Sequence, residues 1–412
     1  MIAEDAFVIV FLPTRGASHG VTSDPSESTV HDSDRVFSPL HESALNQTTQ
    51  VFSTVPGTHA GFAIFDAAVD QEREQWLDLW HRWPDHEVWA HPDYVQLFSR
   101  PSDRVLCACL NEISGGILFP LIVRPMSAEP WALQDQTSCD LVSPYGNGGP
   151  FGWGTTDTPL FWKCFDEWAQ AIHAVSLCTR FLGSFDHEIP FVGETTAKSA
   201  CIVVSLNQAA EAIWKGYTSS IRRNIKAAER TGVTVAFDPC CERLDEFLTV
   251  YYGTLDRVGA LAKYYFHPNT FFRKMIATLH EHVVLFHALV KKRVVSSELV
   301  LLSRRSVYSY LTGSLPEGLH TRAHQFLRHA INMWGKEQGK ERVVLGGGYA
   351  GQRDSLFHYK KKFSVTEIPF SLGSRIFDPD RYQSLVQARR EWETVKGNEW
   401  CPRIGFFPLY RD

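Results

Sequence analysis

A chain of 412 residues that is 44% hydrophobic and 21% charged can fill two hydrophobic cores, at roughly 100–200 residues per domain, and this argues against one domain with a tail. Residues 1–60 hold Arg15 and Arg35 against seven acids and so carry the whole net charge of −5; the remainder is balanced, with 39 basic and 39 acidic groups, and offers no global field for nucleic acid or anionic lipid. No apolar run approaches the ~18 residues of a membrane span, and residues 6–12, preceded by Glu4 and Asp5, lack the basic flank of a secretory signal.

Residues 1–60 are rich in Ser, Thr, His, Asp and Pro without a sustained period, which predicts a disordered leader. From Gly61 the periodicity begins. Trp76, Leu77, Leu79, Trp80 and Trp83 fall on one helical stripe, and His91-Pro92-Asp93 places proline in the first turn of a second helix. Runs 105–110 and 117–123 around Gly115-Gly116 read as a hairpin. After them, Ser143-Pro144-Tyr145-Gly146-Asn147-Gly148-Gly149-Pro150 is too dense in Gly and Pro for regular structure. A helix over about 158–175 and a strand at 180–183 follow.

The same order recurs in the second half. Runs 283–290 and 294–303 flank Lys291-Lys292-Arg293, 307–312 adds a third strand, and a helix over about 320–338 presents Ala323, Phe326, Leu327, Ala330, Ile331 and Trp334 at helical spacing. A buried strand at 342–345 closes the unit. The stretch 207–282 reads as helical. The fold class is therefore α/β with mixed sheets. Its division is a leader 1–60, a first unit 61–200, a second unit 201–375 and an extension 376–412.

Chemistry-bearing residues are few. Lys215, Arg222, Arg223, Lys226 and Arg230 oppose only Glu229, with Arg222 and Lys226 one helical turn apart; they form either a solvated face or a phosphate clamp. Lys360-Lys361-Lys362 follows the glycine run at 346–348 and is either a basic turn or a second anion site. Gly346-x-Gly348-x-x-Gly351 fits a dinucleotide fingerprint after a strand, but too little chain follows for the further βαβ units such a site needs. His280, His282 and His287 have no neighbouring Cys or carboxylate pair, so no metal is expected. Nine cysteines without paired C-x-x-C spacing read as reduced, mostly buried thiols, which points to the cytoplasm.

Three segments carry a family resemblance. Residues 143–150 resemble the Gly-rich loop of the first domain in the FemAB-like branch of the GNAT acyltransferases. Ser220-Ile221-Arg222-Arg223-Asn224-Ile225-Lys226-Ala227-Ala228 is similar to the basic helix opening that family's second domain. Leu345-Gly346-Gly347-Gly348 with Tyr359-Lys360-Lys361-Lys362-Phe363-Ser364 resembles its closing strand and lysine turn. The resemblance spans about residues 61–375. It implies two tandem GNAT-like domains with donor and acceptor meeting between them. The activity implied is transfer of an aminoacyl or acyl group from an activated donor to an amine, with no cofactor; the acceptor is a peptide, cell-wall precursor or natural-product intermediate.

It also gives Lys360 the role of stabilising charge on the transferred carbonyl or donor phosphate, where one donor is worth on the order of 3 kcal/mol. Asp140 and His324 are the candidate proton acceptors. Arg222, Arg223, Lys226, Tyr145, Gly146, Tyr310, Gly348 and Lys362 are the candidate binding residues. Aminoacyl-tRNA is the favoured donor, acyl-CoA the alternative, and a non-catalytic binding module the third reading.

Overall fold

The computed structural model describes residues 9–11, 61–183, 189–258, 268–348, 351–403 and 405–412. The leader expected at 1–60 lies outside them, except for a short strand, β1 (Ile9–Phe11).

The first half runs β2 (Phe62–Asp66), α1 (Asp70–Arg82), α2 (Pro92–Gln96), β3 (Arg104–Glu112), β4 (Gly115–Pro125), β5 (Cys139–Val142), β6 (Phe151–Gly154), α3 (Thr158–Ala171), β7 (Ala174–Leu182) and β8 (Glu194–Ser205). The second runs α4 (Ala210–Gly216), α5 (Ser219–Arg230), β9 (Thr234–Asp238), α6 (Leu244–Arg257), α7 (Asn269–Leu279), β10 (Val283–Val290), β11 (Arg293–Leu302) and β12 (Ser306–Ser314). It continues with α8 (Pro316–His320), α9 (Ala323–Glu337), β13 (Arg342–Gly346), α10 (Ser355–Lys360), β14 (Glu367–Ile376) and α11 (Pro379–Val395).

All strands join one mixed sheet in the order β1-β9-β10-β11-β12-β13-β8-β14-β7-β5-β4-β3-β2, with β6 on β4. Each half contributes the same unit. Strands β2 to β5 pair antiparallel in sequence, β6 adds antiparallel to β4, and β7 then returns through α3 to lie parallel to β5. Strands β9 to β12 repeat the antiparallel run, and β13 returns through α9 to lie parallel to β12. A parallel return requires such a crossover helix.

The last strand of each unit crosses over. β8, which follows β7, pairs with β13 of the other unit, while β14, which follows β13, pairs with β7; β8 and β14 pair antiparallel between them. The exchange makes one continuous sheet and places the ends of β7 and β13 near its middle.

Helix stripes supply the core. α1 buries Trp76, Leu79 and Trp80, and α9 buries Phe326, Leu327, Ile331 and Trp334 against the opposite face. Full burial of such a side chain contributes about 1.5–3 kcal/mol. The helix expected at 320–338 begins later, because Arg322 adopts a left-handed conformation (φ 64°) that separates α8 from α9. The stretch expected to be wholly helical at 207–282 contains β9, and the extension at 376–412 carries α11. All nine cysteines are free and seven are buried. Among the described residues, no helix is long and apolar enough to cross a membrane.

Candidate active site

Parallel strands β12 and β13 pair only at 306–308 with 342–344 and then part. At the same place β12 carries a bulge: Leu299 faces Leu311 and Val300 faces Ser309, so Tyr310 is the extra residue. The opening strand edge and the bulge together bring three successive residues, Tyr308, Ser309 and Tyr310, onto the wall of one cavity of about 380 Å³. Trp89 and Tyr145 from the first half, Arg180 and Leu182 of β7, Ser199 and Cys201 of β8, and Gly346 to Gly348 complete its lining.

The loop at 143–150 is held in place by its own polar groups. Asn147 Oδ1 accepts the Leu182 N–H (3.3 Å), Thr179 Oγ1 donates to the Gly149 carbonyl (2.9 Å), and the Gly148 N–H donates to the Arg180 carbonyl (2.8 Å). Gly146 has φ 100°, and a Cβ there would lie 2.5 Å from the Trp89 ring. Glycine is thus required for the indole to reach the cavity. Tyr145 is half exposed at the mouth, with its ring 6.1 Å from that of Tyr310.

Trp89 Nε1 and Tyr310 Oη are buried and make no hydrogen bond of normal geometry, their nearest polar neighbours being the Tyr308 and Tyr94 hydroxyls. A buried donor left without a good hydrogen bond costs about 1–3 kcal/mol, and both residues line one largely apolar cavity, where a ligand oxygen could improve on these contacts.

Behind the glycines lies a buried charged layer. Lys360, the last residue of α10, donates from Nζ to the Gly347 carbonyl at 2.7 Å. Gly346 is left-handed (φ 76°), and a Cβ there would sit 3.3 Å from that ammonium; only the bare glycine turn separates the charge from the cavity. Burial, reinforced by Arg328, pulls the Lys360 pKa down to about 8. Arg328 pairs with Glu298 at 2.5 Å, and burial pushes the Glu298 carboxyl up despite Arg328 and the Ser309 hydroxyl. Asp354 caps α10 by accepting the Phe357 N–H at 2.9 Å.

A second carboxylate was not legible in the sequence. Glu87 is buried at the junction of the two halves and accepts the Tyr308 hydroxyl at 2.8 Å. Burial raises its pKa to about 7, against the opposing effect of Ser303 and Tyr308. Nothing in the local sequence marks Glu87, because its hydrogen-bond partner lies 221 residues away.

Residues 215–361 match the family model of the acetyltransferase (GNAT) domain. Among solved structures, FemX aligns with 76% of this chain and 98% of its own at 13% identity, with a TM-score of 0.56; that likeness is one of fold, and it is FemX-like over both halves. The C-terminal domain of a putative lysylphosphatidylglycerol synthetase from Agrobacterium fabrum aligns with 78% of this chain and 96% of its own at 14% identity and TM-score 0.47. A tandem GNAT protein from the clavulanic acid biosynthesis pathway aligns with 77% and 99% at 11% identity and TM-score 0.40. No curated protein matches in sequence.

The matched segment contains Tyr310, Gly348 and Lys360, which the structure gathers at the cavity, while Tyr145 and Gly146 reach it from the first half. Arg222, Arg223 and Lys226 instead line a separate open groove with Trp214, Glu229 and Arg230. There Arg222 donates to the Lys215 carbonyl (3.1 Å) and the Tyr217 carbonyl, and the Lys226 ammonium lies 5.9 Å from the centre of the Trp214 ring.

Lys361 and Lys362 point outward, Lys361 pairing with Glu367 at 2.6 Å. The His324 ring lies tilted against that of Tyr359 (5.7 Å) with Nδ1 3.4 Å from the Gly318 carbonyl, and burial lowers its pKa. Asp140 lies in β5 and is saturated: Tyr410 (2.5 Å) and Ser176 (2.9 Å) donate to it and Arg411 pairs with it (2.6 Å). Neither His324 nor Asp140 lines the cavity with Lys360 behind it. His280 and His282 stand in a turn after α7, whereas His287 is buried 3.4 Å from Asp238.

Proposed function

We propose that the chain is an amide-forming acyltransferase whose reaction takes place in the cavity between β12 and β13, with aminoacyl-tRNA as the favoured donor. The observation that carries this reading is a cavity walled by Trp89 and Tyr310, whose buried Nε1 and Oη make no hydrogen bond of normal geometry, and backed by the Lys360 ammonium. The carbonyl of an activated ester fits there. As the amine nitrogen attacks the carbonyl carbon, the new C–N bond forms and negative charge grows on the oxygen. Donors fixed in advance stabilise that charge by about 3 kcal/mol each. Collapse of the intermediate breaks the bond to the donor oxygen and restores the carbonyl, and the leaving oxygen takes up the proton that the amine gives up, returned from Glu87 through Tyr308.

The amine must lose one proton. Tyr308 Oη accepts it while passing its own proton to Glu87 Oε2, a relay that the 2.8 Å hydrogen bond supports and that a carboxyl with a pKa of about 7 can complete near neutrality. On this reading Glu87 and Tyr308 replace Asp140 and His324 as the proton-accepting pair.

The groove on α5 supports RNA as the donor carrier. Arg223, Lys226 and Arg230 are exposed beside the half-buried Trp214, and a basic surface with an aromatic ring is what unpaired nucleotides need for phosphate contact and stacking. Acyl-CoA is the second reading, in which the same cations meet its phosphates. Purified protein incubated separately with charged tRNA and with acyl-CoA, in the presence of amine acceptors, tests the proposal. Consumption of charged tRNA with formation of an amide is expected; consumption of neither donor overturns the acyltransferase reading.

A further inference from the structure

The first half has its own opening where parallel strands part. β5 and β7 pair as far as Val142 and Cys178, and beyond that point lies a second cavity of about 280 Å³. It is walled by β5, β7 and the tail residues Phe406, Phe407 and Pro408, and five arginines reach it: Arg100, Arg124, Arg180, Arg389 and Arg411.

Three of these are answered by acids. Arg100 pairs with Asp103 (3.0 Å) and Glu129 (2.7 Å), Arg411 with Asp140 and Glu129, and Arg389 with Glu393 (2.8 Å). The other two are answered weakly or not at all. Arg180 donates only to the backbone carbonyls of Ser143 (3.1 Å) and Pro144 (3.5 Å), and among the described residues no carboxylate stands within ion-pair distance of it. Arg124 reaches only Asp103, at 3.4 Å, whose oxygens already accept several Arg100 N–H groups. Arg124 Nε is left buried without a hydrogen bond. Burial and the neighbouring positive charges of Arg100, Arg411 and Arg180 outweigh Asp103 and lower the Arg124 pKa. Guanidinium groups held together without matching carboxylates are an oxyanion site, because a planar fork binds two oxygens at once.

The position of this site is also informative. Cys178, Arg180 and Leu182 alternate onto one face of β7. Cys178 and Arg180 line the arginine cavity, while Arg180 and Leu182 line the cavity backed by Lys360. The two spaces are therefore neighbours along one strand face, about 7 Å per two residues apart, with Arg180 between them.

We propose that the arginine cavity binds the oxyanion group, phosphate or carboxylate, of the small-molecule acceptor, whose amine then extends past Arg180 into the cavity backed by Lys360. This rests on the acyltransferase reading for the word acceptor, but not for the anion site itself. The test is calorimetric titration of the full chain at constant ionic strength with inorganic phosphate and, in a separate arm, with succinate. Chloride serves as the control.

Saturable binding of one or both oxyanions is expected, with the tighter arm naming the chemistry. Arg124→Met and Arg180→Met should each weaken it at least about tenfold, since a charge-assisted hydrogen bond is worth about 1.5–3 kcal/mol. Arg124→Lys should retain part of it, and the exposed Arg390→Met should change nothing. Binding that is absent, or indifferent to Arg124→Met and Arg180→Met in folded protein, overturns the proposal. Anion binding without acyl transfer from any donor would instead overturn the reaction and leave the site standing.

Discussion

The Lys360 ammonium lies 2.7 Å from the Gly347 carbonyl oxygen, on the far side of the glycine turn that lines the cavity. The lysine is thus anchored by the wall of the site whose charge it faces. If it stabilises charge that grows in the transition state, Lys360→Met lowers kcat and kcat/KM together by roughly 10²–10³-fold. Lys361→Met and Lys362→Met serve as controls, since both side chains are exposed and Lys361 is engaged with Glu367. Steady-state kinetics of the three variants decides this; equal, mild effects would reduce the lysines to a basic surface.

Gly346→Ala tests the turn itself. The residue has φ 76°, so alanine brings strain of about 1–2 kcal/mol, and its methyl would meet the Lys360 ammonium at 3.3 Å. Gly339→Ala is the matched comparison, with φ 69° and open space around it. Both variants should lose a similar increment of melting temperature, but only Gly346→Ala should lose activity. Equal activity in the two would show that the ammonium position does not matter to the reaction.

The elements legible in the sequence are those whose burial is one-sided and periodic. α1, α9 and the hairpin of β3 and β4 fall where helical and alternating patterns place them. The exchanged strands are the ones that escape. β8 begins with Glu194 to Lys198 exposed, so its first half shows no apolar alternation. β14 contains Pro369 and Gly373 yet lies between β7 and β8, against the rule that proline avoids strands with partners on both sides.

Lys360 was legible from its place after the glycines, but its direction was not, because the sequence reads as an extended turn and the chain forms α10. The partnership of Glu87 with Tyr308 has no local signature at all. It exists only once the two halves share a sheet.

The α5 groove yields a salt-dependence prediction. Arg223 and Lys226 are exposed and free of carboxylate partners among the described residues, so each phosphate contact they make with a nucleic acid donor displaces a counterion. Arg223→Ala and Lys226→Ala should each reduce the slope of log affinity against log salt by about one unit. Filter-binding or anisotropy titrations of charged tRNA across a salt series measure it. An unchanged slope in both would return α5 to a solvated face.

Glu87 joins stability and catalysis with opposite signs. Its folded pKa of about 7 stands above the ordinary value of 4.5, chiefly through burial. The folded state therefore favours the protonated carboxyl. The associated stability is fully present below about pH 4.5 and is lost as pH rises through 7, a difference on the order of 3 kcal/mol. Glu87→Gln mimics the protonated form and cannot ionise, so its melting temperature relative to wild type should rise between pH 5 and pH 8.

The same substitution removes the proton acceptor at the end of the Tyr308 relay, so kcat/KM should fall at every pH. In wild type, activity should climb as Glu87 ionises near pH 7 and decline as Lys360, lowered to about 8, loses its charge. This gives a narrow bell whose two limbs describe the pair rather than either group alone. Glu87→Gln should erase the acid limb and leave the alkaline one, while Tyr308→Phe should lower the rate without the pH-dependent gain in stability. If Glu87→Gln kept both limbs, the relay would be wrong whatever its melting curve showed. If the acid limb vanished but stability did not move with pH, Glu87 would not titrate near 7 in the folded protein, and the limb would belong to another group that Glu87 positions.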